Sequence, residues 1–270
     1  MEDLLFLAHR LPYPPDKGDR IRSWNMLLHL ADRYRIHLGC FVDNPDNWRH
    51  AEVVASRCAS HCFLPLGKLL PAARGCLSML AGGSLSVGYL RDRTLAGFVS
   101  GVIAENRPTR AFVFGSALAS YVMGDAARGM HRTIDMVDVD SEKWRQYAER
   151  RSWPMKAVFA REARALLAFE RSAAMNSDAT LFVSGQEAAL FGRLAPECTD
   201  HVHAISNGVD AGYFDPARSF TSPFAPGEMP IVFTGAMDYW PNIDAITWFV
   251  REVMPLLAST PARFYICLLY

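Results

Sequence analysis

Closely spaced carboxylates are the first side chains in this sequence that could do chemistry. Asp135, Asp138 and Asp140 come at the end of an apolar run, and Lys143 follows them. Three such carboxylates could bind a metal, but like charges so close in a strand are costly unless cations pair with them. We therefore expect a polar rim that faces a cleft and hydrogen-bonds hydroxyl groups such as those of a sugar. Helix capping by Asp140 or Ser141 is the alternative.

A proline-rich loop precedes the first predicted helix. It runs from His9 to Arg22 and contains three prolines before Gly18. Ligands of open α/β sheets bind beyond the carboxyl ends of strands, and a helix N-terminus offers free N–H groups to phosphate or sugar oxygens. A simple turn with Asp19 as helix cap explains the same residues equally well. The loop lacks both G-x-G-x-x-G and a Walker lysine–serine pair, which argues against a nicotinamide or ATP site.

Two later corners of the chain also combine a strand end with a glycine. The segment from Asn207 to Pro216 begins with Asn-Gly, which tolerates left-handed backbone angles, and its proline ends regular structure. The segment from Thr234 to Asn242 follows another apolar run. Each corner alone predicts only a turn, so their significance lies in their spacing.

Charge and composition argue against several classes of binding partner. The 270 residues include 28 basic and 28 acidic side chains, so no net field favours nucleic acid or an anionic membrane. The apolar start from Leu4 to Ala8 lacks the basic region and length of a secretory signal, and the run from Ala111 to Met123 is too short to span a bilayer. Six scattered cysteines lack the paired spacing of a zinc site. We expect a cytoplasmic protein that acts on small molecules without a metal.

An α/β framework is expected to hold these corners. Apolar runs bounded by polar turns recur with room for a helix between them, as in a parallel sheet with crossover helices. The predicted strands cover Leu4 to Ala8, Ile36 to Val42, His61 to Pro65, Ala111 to Phe114, Arg132 to Val137, Ala179 to Ser184 and Val202 to Ile205. Helical periodicity predicts helices over Asp19 to Arg33, Trp48 to Ser60, Leu95 to Asn106 and Lys156 to Ala174.

The last of these helices has a charged face. Arg161, Glu162, Arg164, Glu170 and Arg171 alternate with an Ala/Leu/Phe face, and we expect these charged side chains to be exposed.

A second unit is expected after a linker. We place the first domain at residues 1–206, a linker rich in Gly, Pro, Asp and Ser at 207–230, and the start of a second domain at 231–270. The second domain opens with a strand from Ile231 to Thr234, a helix from Asn242 to Leu257 and a strand from Arg263 to Ile266. A single β–α–β unit buries too little apolar surface to stand as a domain.

The spacing of these motifs resembles that of a known family. An Asn-Gly-Val-Asp motif from Asn207, a Phe-x-Pro motif from Phe214 and a strand ending at Gly235 are similar to the domain junction of group 1 (family 4) retaining glycosyltransferases of GT-B fold. Within that family, the chain resembles the sugar transferases associated with exosortase (PEP-CTERM) exopolysaccharide clusters at residues 12–19, 137–144 and 234–242. The similarity extends to about Ile266.

The resemblance implies two Rossmann-like domains on either side of a cleft, the first for the acceptor and the second for a nucleotide-sugar donor. The implied partners are a nucleotide-sugar and a saccharide or lipid-linked acceptor, without a further cofactor, and peripheral association with the inner face of the membrane is implied as well. The candidate catalytic residues are Asp138, Asp140 and Lys143. The candidate substrate-binding residues are Gly18, Asp19, Arg20, Arg22 and Ser116, and the candidate donor-binding residues are Asn207, Gly208, Gly235 and Asn242.

The chain also departs from the family pattern. Asp19 replaces a common second glycine, no histidine is near Asp138 in the sequence, and the family's Glu-x7-Glu segment is absent because no glutamate follows Glu252. A frameshift or premature stop after Ile266 is the simplest hypothesis. The sequence thus predicts a C-terminally truncated glycosyltransferase of exopolysaccharide synthesis. The alternative is a catalytically inactive remnant that acts only as a binding module, and an epimerase or dehydrogenase ranks third because its fingerprint is missing.

Overall fold

All seven strands expected in the first domain are present, and they pair in parallel. The computed structural model describes residues 1–237 and 240–268. The strands are β1 (Glu2–Ala8), β2 (Tyr34–Val42), β3 (Ser60–Pro65), β4 (Arg110–Phe114), β5 (His131–Val137), β6 (Ala179–Phe182) and β7 (Val202–Ala204). Their order in the sheet is β3-β2-β1-β4-β5-β6-β7. Successive strands are therefore added on one side of β1 up to β3 and on its other side from β4 onwards, so the strand order reverses between β1 and β4. Ligands of open α/β sheets bind at such a reversal.

Helices connect these strands. They are α1 (Gly18–Ala31), α2 (Ala51–Ala55), α3 (Leu69–Leu80), α4 (Leu85–Tyr89), α5 (Arg93–Asn106), α6 (Asp140–Glu149), α7 (Met155–Met175) and α8 (Gly185–Leu194). Short 3-10 turns cover Pro45–His50, Ser116–Tyr121, Asp125–Ala127 and Pro196–His201. The predicted helix from Trp48 to Ser60 is wrong over its second half, because α2 ends at Ala55 and Ser60 already pairs in β3.

Two hydrophobic clusters cover the two faces of the sheet. Leu5 and Leu7 of β1 belong to one cluster and Leu4 and Phe6 to the other, as the alternation of side chains along a strand requires. Helix α5 packs into the first cluster and α1 into the second. Because both faces are covered, the strands are continuous apolar runs, which is why they could be predicted. The fold is Rossmann-like α/β, as expected.

The chain divides into two units, Met1–Gly208 and Val209–Tyr270. In the second unit, β8 (Met229–Gly235) pairs in parallel with β9 (Ala262–Leu268), and α9 (Trp240–Trp248) lies between the two strands in the sequence. The predicted helix from Asn242 to Leu257 is not a single α-helix, since a π-helical turn over Phe249–Val253 and a 3-10 turn over Met254–Leu257 follow α9. Pro255 explains the change, because it has no N–H to continue the α-helical ladder.

No helix within residues 1–237 and 240–268 is long and apolar enough to cross a membrane. The apolar run from Ala111 to Met123 forms the end of β4 and a 3-10 turn instead.

Candidate functional site

The loops that follow five of the strands enclose a cavity of about 520 Å³ in the first unit. It lies at the carboxyl ends of the strands, beside the reversal between β1 and β4. Its ionisable lining residues are His9, Arg10, Asp19, Asp43, Asp138, Asp140 and Lys143. Tyr89 and Trp144 contribute aromatic surface. The cavity therefore combines polar side chains from the strand loops, α1 and α6 with aromatic surface from α4 and α6.

Lys143 holds the two predicted catalytic carboxylates together. Its Nζ donates to Asp138 Oδ2 at 2.8 Å and to Asp140 Oδ1 at 3.0 Å. Burial would lower the pKa of Lys143, but Asp140 and Asp138 outweigh burial and raise that pKa above its ordinary value. The ammonium group therefore stays charged at neutral pH and cannot act as a general base. The structure does bring the three predicted catalytic residues together at the cavity wall, although their catalytic role stays a prediction.

A strained turn aims Asp138 away from the sheet. Val137 has a φ of 68°, which is unfavourable for a β-branched residue. The N–H of Asp138 donates to the carbonyl of Met136 at 2.8 Å, closing a tight γ-turn around Val137. Asp135 Oδ1 accepts the N–H of Val137 at 3.2 Å and supports the turn. Backbone strain of this kind concentrates at functional sites.

Asp19 also lines the cavity, where it contacts His9 and Arg10. His9 Nε2 lies 3.3 Å and Arg10 Nε 3.2 Å from Asp19 Oδ2. Burial would raise the pKa of Asp19, but His9 and Arg10 outweigh it and bring that pKa down to about 2. Asp19 does not cap helix α1, because Lys17 is the N-cap and no side chain bonds to it there. Asp19 is thus a carboxylate that lines the cavity, and its substrate-binding role stays a prediction.

His9 enters the site although no histidine is near Asp138 in the sequence. Its ring stacks on Phe114 with centroids 5.6 Å apart, and its buried Nδ1 has no hydrogen-bond partner within the described part of the chain. Gly115 makes this position accessible, since its φ is 100° and a Cβ there would lie 3.1 Å from His9 Nδ1. Ser116 follows and also lines the cavity, and its substrate-binding role stays a prediction.

Arg20 and Arg22 do not line the cavity. Arg20 is buried and donates to Asp16 at 3.0 Å and to Asp43 at 3.2 Å. The structure therefore places Arg20 beneath the cavity wall, where it orients Asp43.

Arg22 ties three distant parts of the first unit together. Its Nε donates to the buried Asp135 at 2.8 Å, and its Nη1 donates to the carbonyl of Ile205 at 2.7 Å and to Asn207 Oδ1 at 3.1 Å. Burial raises the pKa of Asp135 despite the opposing pull of Arg22. Arg22 and Asn207, predicted to bind substrate and donor, thus contact each other.

The predicted glycine sites lie apart from the cavity lining. Gly18 begins α1, and Gly208 is exposed at the end of the first unit. Gly235 and Asn242 form one corner of the second unit, where Asn242 Nδ2 donates to the carbonyl of Ala236 at 2.8 Å and a Cβ on Gly235 would lie 2.8 Å from that nitrogen. A side chain at position 235 would therefore displace the Asn242 amide, and the donor-binding roles of these residues stay predictions.

Three glutamates, of which Glu162 and Glu170 are buried and Glu187 is half-buried, support the cavity-lining helices. Glu170 accepts the N–H and the hydroxyl of Ser141, and Glu187 Oε2 accepts the N–H of Val139 at 2.8 Å. Glu162 accepts the N–H of Leu85 at 2.7 Å at the start of α4. These carboxyl groups, not Asp140 or Ser141, cap the helices.

The expectation that Glu162 and Glu170 are exposed is wrong. Both are buried, because they satisfy N–H groups at the starts of α4 and α6. Burial raises the pKa of Glu170 to about 8.

His9, Arg10 and Asp43 are not among the candidate site residues, although His9 and Arg10 begin the proline-rich loop. His9 and Asp43 are the first residues after a strand, and Arg10 is the second. This position at the carboxyl end of a strand is the sequence feature that indicates a site residue. Tyr89 and Trp144 project from helices, where no such signal exists. Within residues 1–237 and 240–268, no group of three His, Cys, Asp or Glu side chains is arranged to hold a metal, and Lys143 fills the space between Asp138 and Asp140.

Comparison with known proteins supports the fold. No protein-family model matches the sequence, and no curated protein matches it at a significant level. The N-terminal domain of trehalose-6-phosphate phosphatase from Candida albicans is 10% identical over 98% of this chain and 72% of its own, with a TM-score of 0.53. A Listeria monocytogenes protein described as a UDP-N-acetylglucosamine 2-epimerase is 11% identical over 97% of this chain, with a TM-score of 0.50, and this chain spans 62% of its length. These likenesses identify the fold as GT-B-like, with the Rossmann-like sheet described above.

Proposed function

We propose that the chain belongs to a sugar-nucleotide-dependent glycosyltransferase and that the cavity of its first unit binds a saccharide. The observation that carries the proposal is the group of aspartate side chains at the cavity wall. Asp138 and Asp140 share the Lys143 ammonium at 2.8 and 3.0 Å, and Asp19, in the first turn of α1, also lines the cavity. Carboxylates accept hydrogen bonds from hydroxyl groups without needing a proton of their own.

The cavity lining suits a polyol. Trp144 and Tyr89 give apolar surface for the C–H face of a sugar ring, while Asp138, Asp140 and Ser116 offer acceptors for its hydroxyls. Four aspartates line the cavity against Arg10 and Lys143, so a phosphate group would meet net negative charge there. We therefore assign the cavity to the acceptor saccharide and leave the donor diphosphate to the corner at Gly235 and Asn242.

The proposed chemistry is transfer of a glycosyl group from the nucleotide-sugar to an acceptor hydroxyl. As the nucleotide leaves, the reacting sugar gains oxocarbenium character. The protein contributes to catalysis by holding the acceptor hydroxyl in place. The likeness to a protein described as a UDP-N-acetylglucosamine 2-epimerase supports a sugar-nucleotide enzyme at the level of fold. Transfer to a lipid-linked saccharide in exopolysaccharide synthesis is the finer proposal, and it rests on the motif resemblance at residues 137–144 and 234–242.

Binding to the full chain tests the cavity assignment. Calorimetric titration with a panel of mono- and oligosaccharides should find a ligand whose affinity falls at least about tenfold in Asp138→Asn, equivalent to about 1.4 kcal/mol. Asp125→Asn is the matched control, because Asp125 is exposed and lies outside the cavity. Equal binding by wild type and Asp138→Asn, or binding of nucleotide-sugars alone, would contradict the assignment.

Nucleotide release tests the transferase reaction itself. The full chain, incubated with the saccharide so identified and a panel of nucleotide-sugars, should release nucleotide only when both are present. Saccharide binding without nucleotide release would instead support the alternative function, a binding module without catalytic activity.

A further inference from the structure

Three polar side chains on adjacent strands of the first unit form a hydrogen-bonded chain. His37 of β2 is buried, and its Nε2 lies 2.8 Å from Oδ1 of Asp3 in β1. Its Nδ1 lies 2.7 Å from the Oγ of Ser60, the first residue of β3. The parallel register pairs Ser60 directly with His37. The imidazole thus lies between a carboxylate and a hydroxyl group, as nucleophilic catalysis by serine requires.

The Asp3 carboxylate fixes the direction of these hydrogen bonds. Arg35 donates to both of its oxygens, from Nε at 2.8 Å and from Nη2 at 2.9 Å. Burial would raise the pKa of Asp3, but His37 and Arg35 outweigh burial and lower that pKa below its ordinary value. An ionised carboxylate can only accept hydrogen bonds, so the N–H of a neutral His37 ring is on Nε2 and donates to Asp3. The Nδ1 atom is then an acceptor, and the Ser60 hydroxyl group donates to it.

Ser60 also lines a second cavity, of about 500 Å³. Phe98 and Val102 of α5 give this Ser60 cavity apolar surface, and Arg35 and Asn106 line it as well. Guanidinium and amide N–H groups can donate to the oxyanion that forms when a carbonyl group is attacked. A small carboxylic ester suits a cavity of this size and lining, because its alkyl group would contact the apolar side chains and its carbonyl oxygen the N–H donors.

The Ser60 cavity is separate from the cavity assigned to the saccharide. Asp3 is near the start of β1 and His9 follows its end, and six residues of a strand span about 20 Å. Within the described part of the chain, the two cavities share no lining residue. A reaction at Ser60 is therefore independent of saccharide binding and of glycosyl transfer.

We propose that Ser60 is the nucleophile of a second active site, which hydrolyses small carboxylic esters. His37 is the general base, and Asp3 is the positioning residue that holds the imidazole in the required tautomer. In the first step, Ser60 Oγ bonds to the carbonyl carbon of the ester while its proton passes to His37 Nδ1. That proton then goes to the departing alcohol, and the acyl group stays on Ser60. Water next gives a proton to Nδ1 and attacks the acyl carbon, which releases the acid, and Nδ1 returns the proton to Ser60.

A fluorophosphonate probe tests the nucleophile directly. A serine activated by a base displaces the fluoride and keeps the phosphonyl group, whereas an ordinary serine reacts far more slowly. The full chain should carry the phosphonyl group on Ser60, which mass spectrometry of its peptides would identify, and Ser60→Ala should lose this label. Ser56→Ala is the matched control and should be labelled like the wild type, because Ser56 is exposed and its hydroxyl group donates to the carbonyl of Val53 at 2.9 Å.

Wild-type protein that carries no phosphonyl group on Ser60 would overturn the proposal. So would equal labelling of Ser56 and Ser60, or labelling of Ser60 that persists in urea-unfolded protein. Each of these results means that the contact with His37 does not activate the hydroxyl group.

Ester hydrolysis gives an independent measurement. The full chain should hydrolyse p-nitrophenyl acetate, and Ser60→Ala should lower kcat/KM at least about tenfold. Asp3→Asn should lower kcat at least about tenfold and leave KM within about twofold, because an amide N–H facing Nε2 would move the ring proton to Nδ1, which could then no longer accept from Ser60.

Equal rates of ester hydrolysis by the wild type and Ser60→Ala would refute the proposal. An unchanged kcat in Asp3→Asn would show that Asp3 only stabilises the fold and would refute its positioning role. Circular dichroism would verify that both variants are folded.

Discussion

At the scale of single residues, Gly115 sets how closely the β4 loop approaches His9. Its φ of 100° is unfavourable for any residue with a Cβ, and that Cβ would lie 3.1 Å from His9 Nδ1. We predict that Gly115→Ala lowers the free energy of unfolding by about 1–3 kcal/mol, which urea denaturation would measure. The variant should also weaken saccharide binding, because a displaced His9 no longer holds Asp19.

Gly97→Ala adds the same methyl group as a control. Gly97 lies inside α5, is exposed, and has no heavy atom within 4 Å of a Cβ built there. Alanine is the better helix former, so this variant should gain up to about 1 kcal/mol of unfolding free energy. If Gly115→Ala is as stable as the wild type, the close packing of Gly115 on His9 is wrong.

Residue chemistry also shows what a sequence can and cannot indicate about a site. Asp138, Asp140 and Lys143 could be found because they directly follow a strand and form one local group. The sequence could not show that Arg22 lies outside the cavity, because its partners Asp135 and Asn207 are 113 and 185 positions away in the chain. Sequence proximity reveals groups built by one loop, whereas contacts between distant segments require the fold.

At the scale of elements, α7 connects the helices that line the cavity. Its buried Glu162 caps the start of α4 and its buried Glu170 caps the start of α6. Periodicity identified the helix correctly but assigned these charges to its exposed face, because their N–H partners lie on other helices. A buried carboxyl group at a helix N-terminus satisfies donors that the helix itself cannot.

The raised pKa of Glu170 predicts a pH dependence of stability. Burial raises this pKa to about 8, above the ordinary value for a glutamate, so the folded protein holds the proton more tightly than the unfolded chain. The stability from this group is complete at low pH and is lost as the pH rises through about 8, by up to about 1.4 kcal/mol per pH unit. Glu170→Gln imitates the protonated form and should therefore gain stability relative to the wild type between pH 5 and pH 8.

Urea denaturation at both pH values measures this difference. Glu149→Gln is the control, because Glu149 is exposed at the end of α6 and pairs only with Arg145 among the contacts described. A difference between Glu170→Gln and wild type that stays constant from pH 5 to pH 8 would show that Glu170 titrates normally.

At the scale of the whole molecule, total charge conceals its distribution. The numbers of basic and acidic residues are equal over the whole chain, yet residues 67–93 and 150–161 together contain eight basic side chains and one acidic. The α3 helix itself was not predicted, because it lies between a strand and a glycine-rich turn without an inward-facing apolar pattern. The seven strands were predicted, since both faces of a parallel sheet are buried and each strand is an uninterrupted apolar run.

The first unit contains everything that its sheet and cavity need. All seven strands, both hydrophobic clusters and every cavity-lining residue lie within Met1–Gly208. The contacts of Arg22 with Ile205 and Asn207 also fall inside this unit. We predict that residues 1–208 expressed alone unfold cooperatively and keep the saccharide affinity of the full chain.

A slightly shorter form sharpens this prediction. Residues 1–204 keep all seven strands but lack Ile205 and Asn207, so the Nη1 of the buried Arg22 would lose both acceptors. Removing the partners of a buried charge costs about 3–5 kcal/mol, and the shorter form should therefore denature at clearly lower urea concentration than residues 1–208. Equal stability of the two forms would mean that Arg22 is satisfied by Asp135 alone, and that the segment after β7 contributes nothing to the first unit.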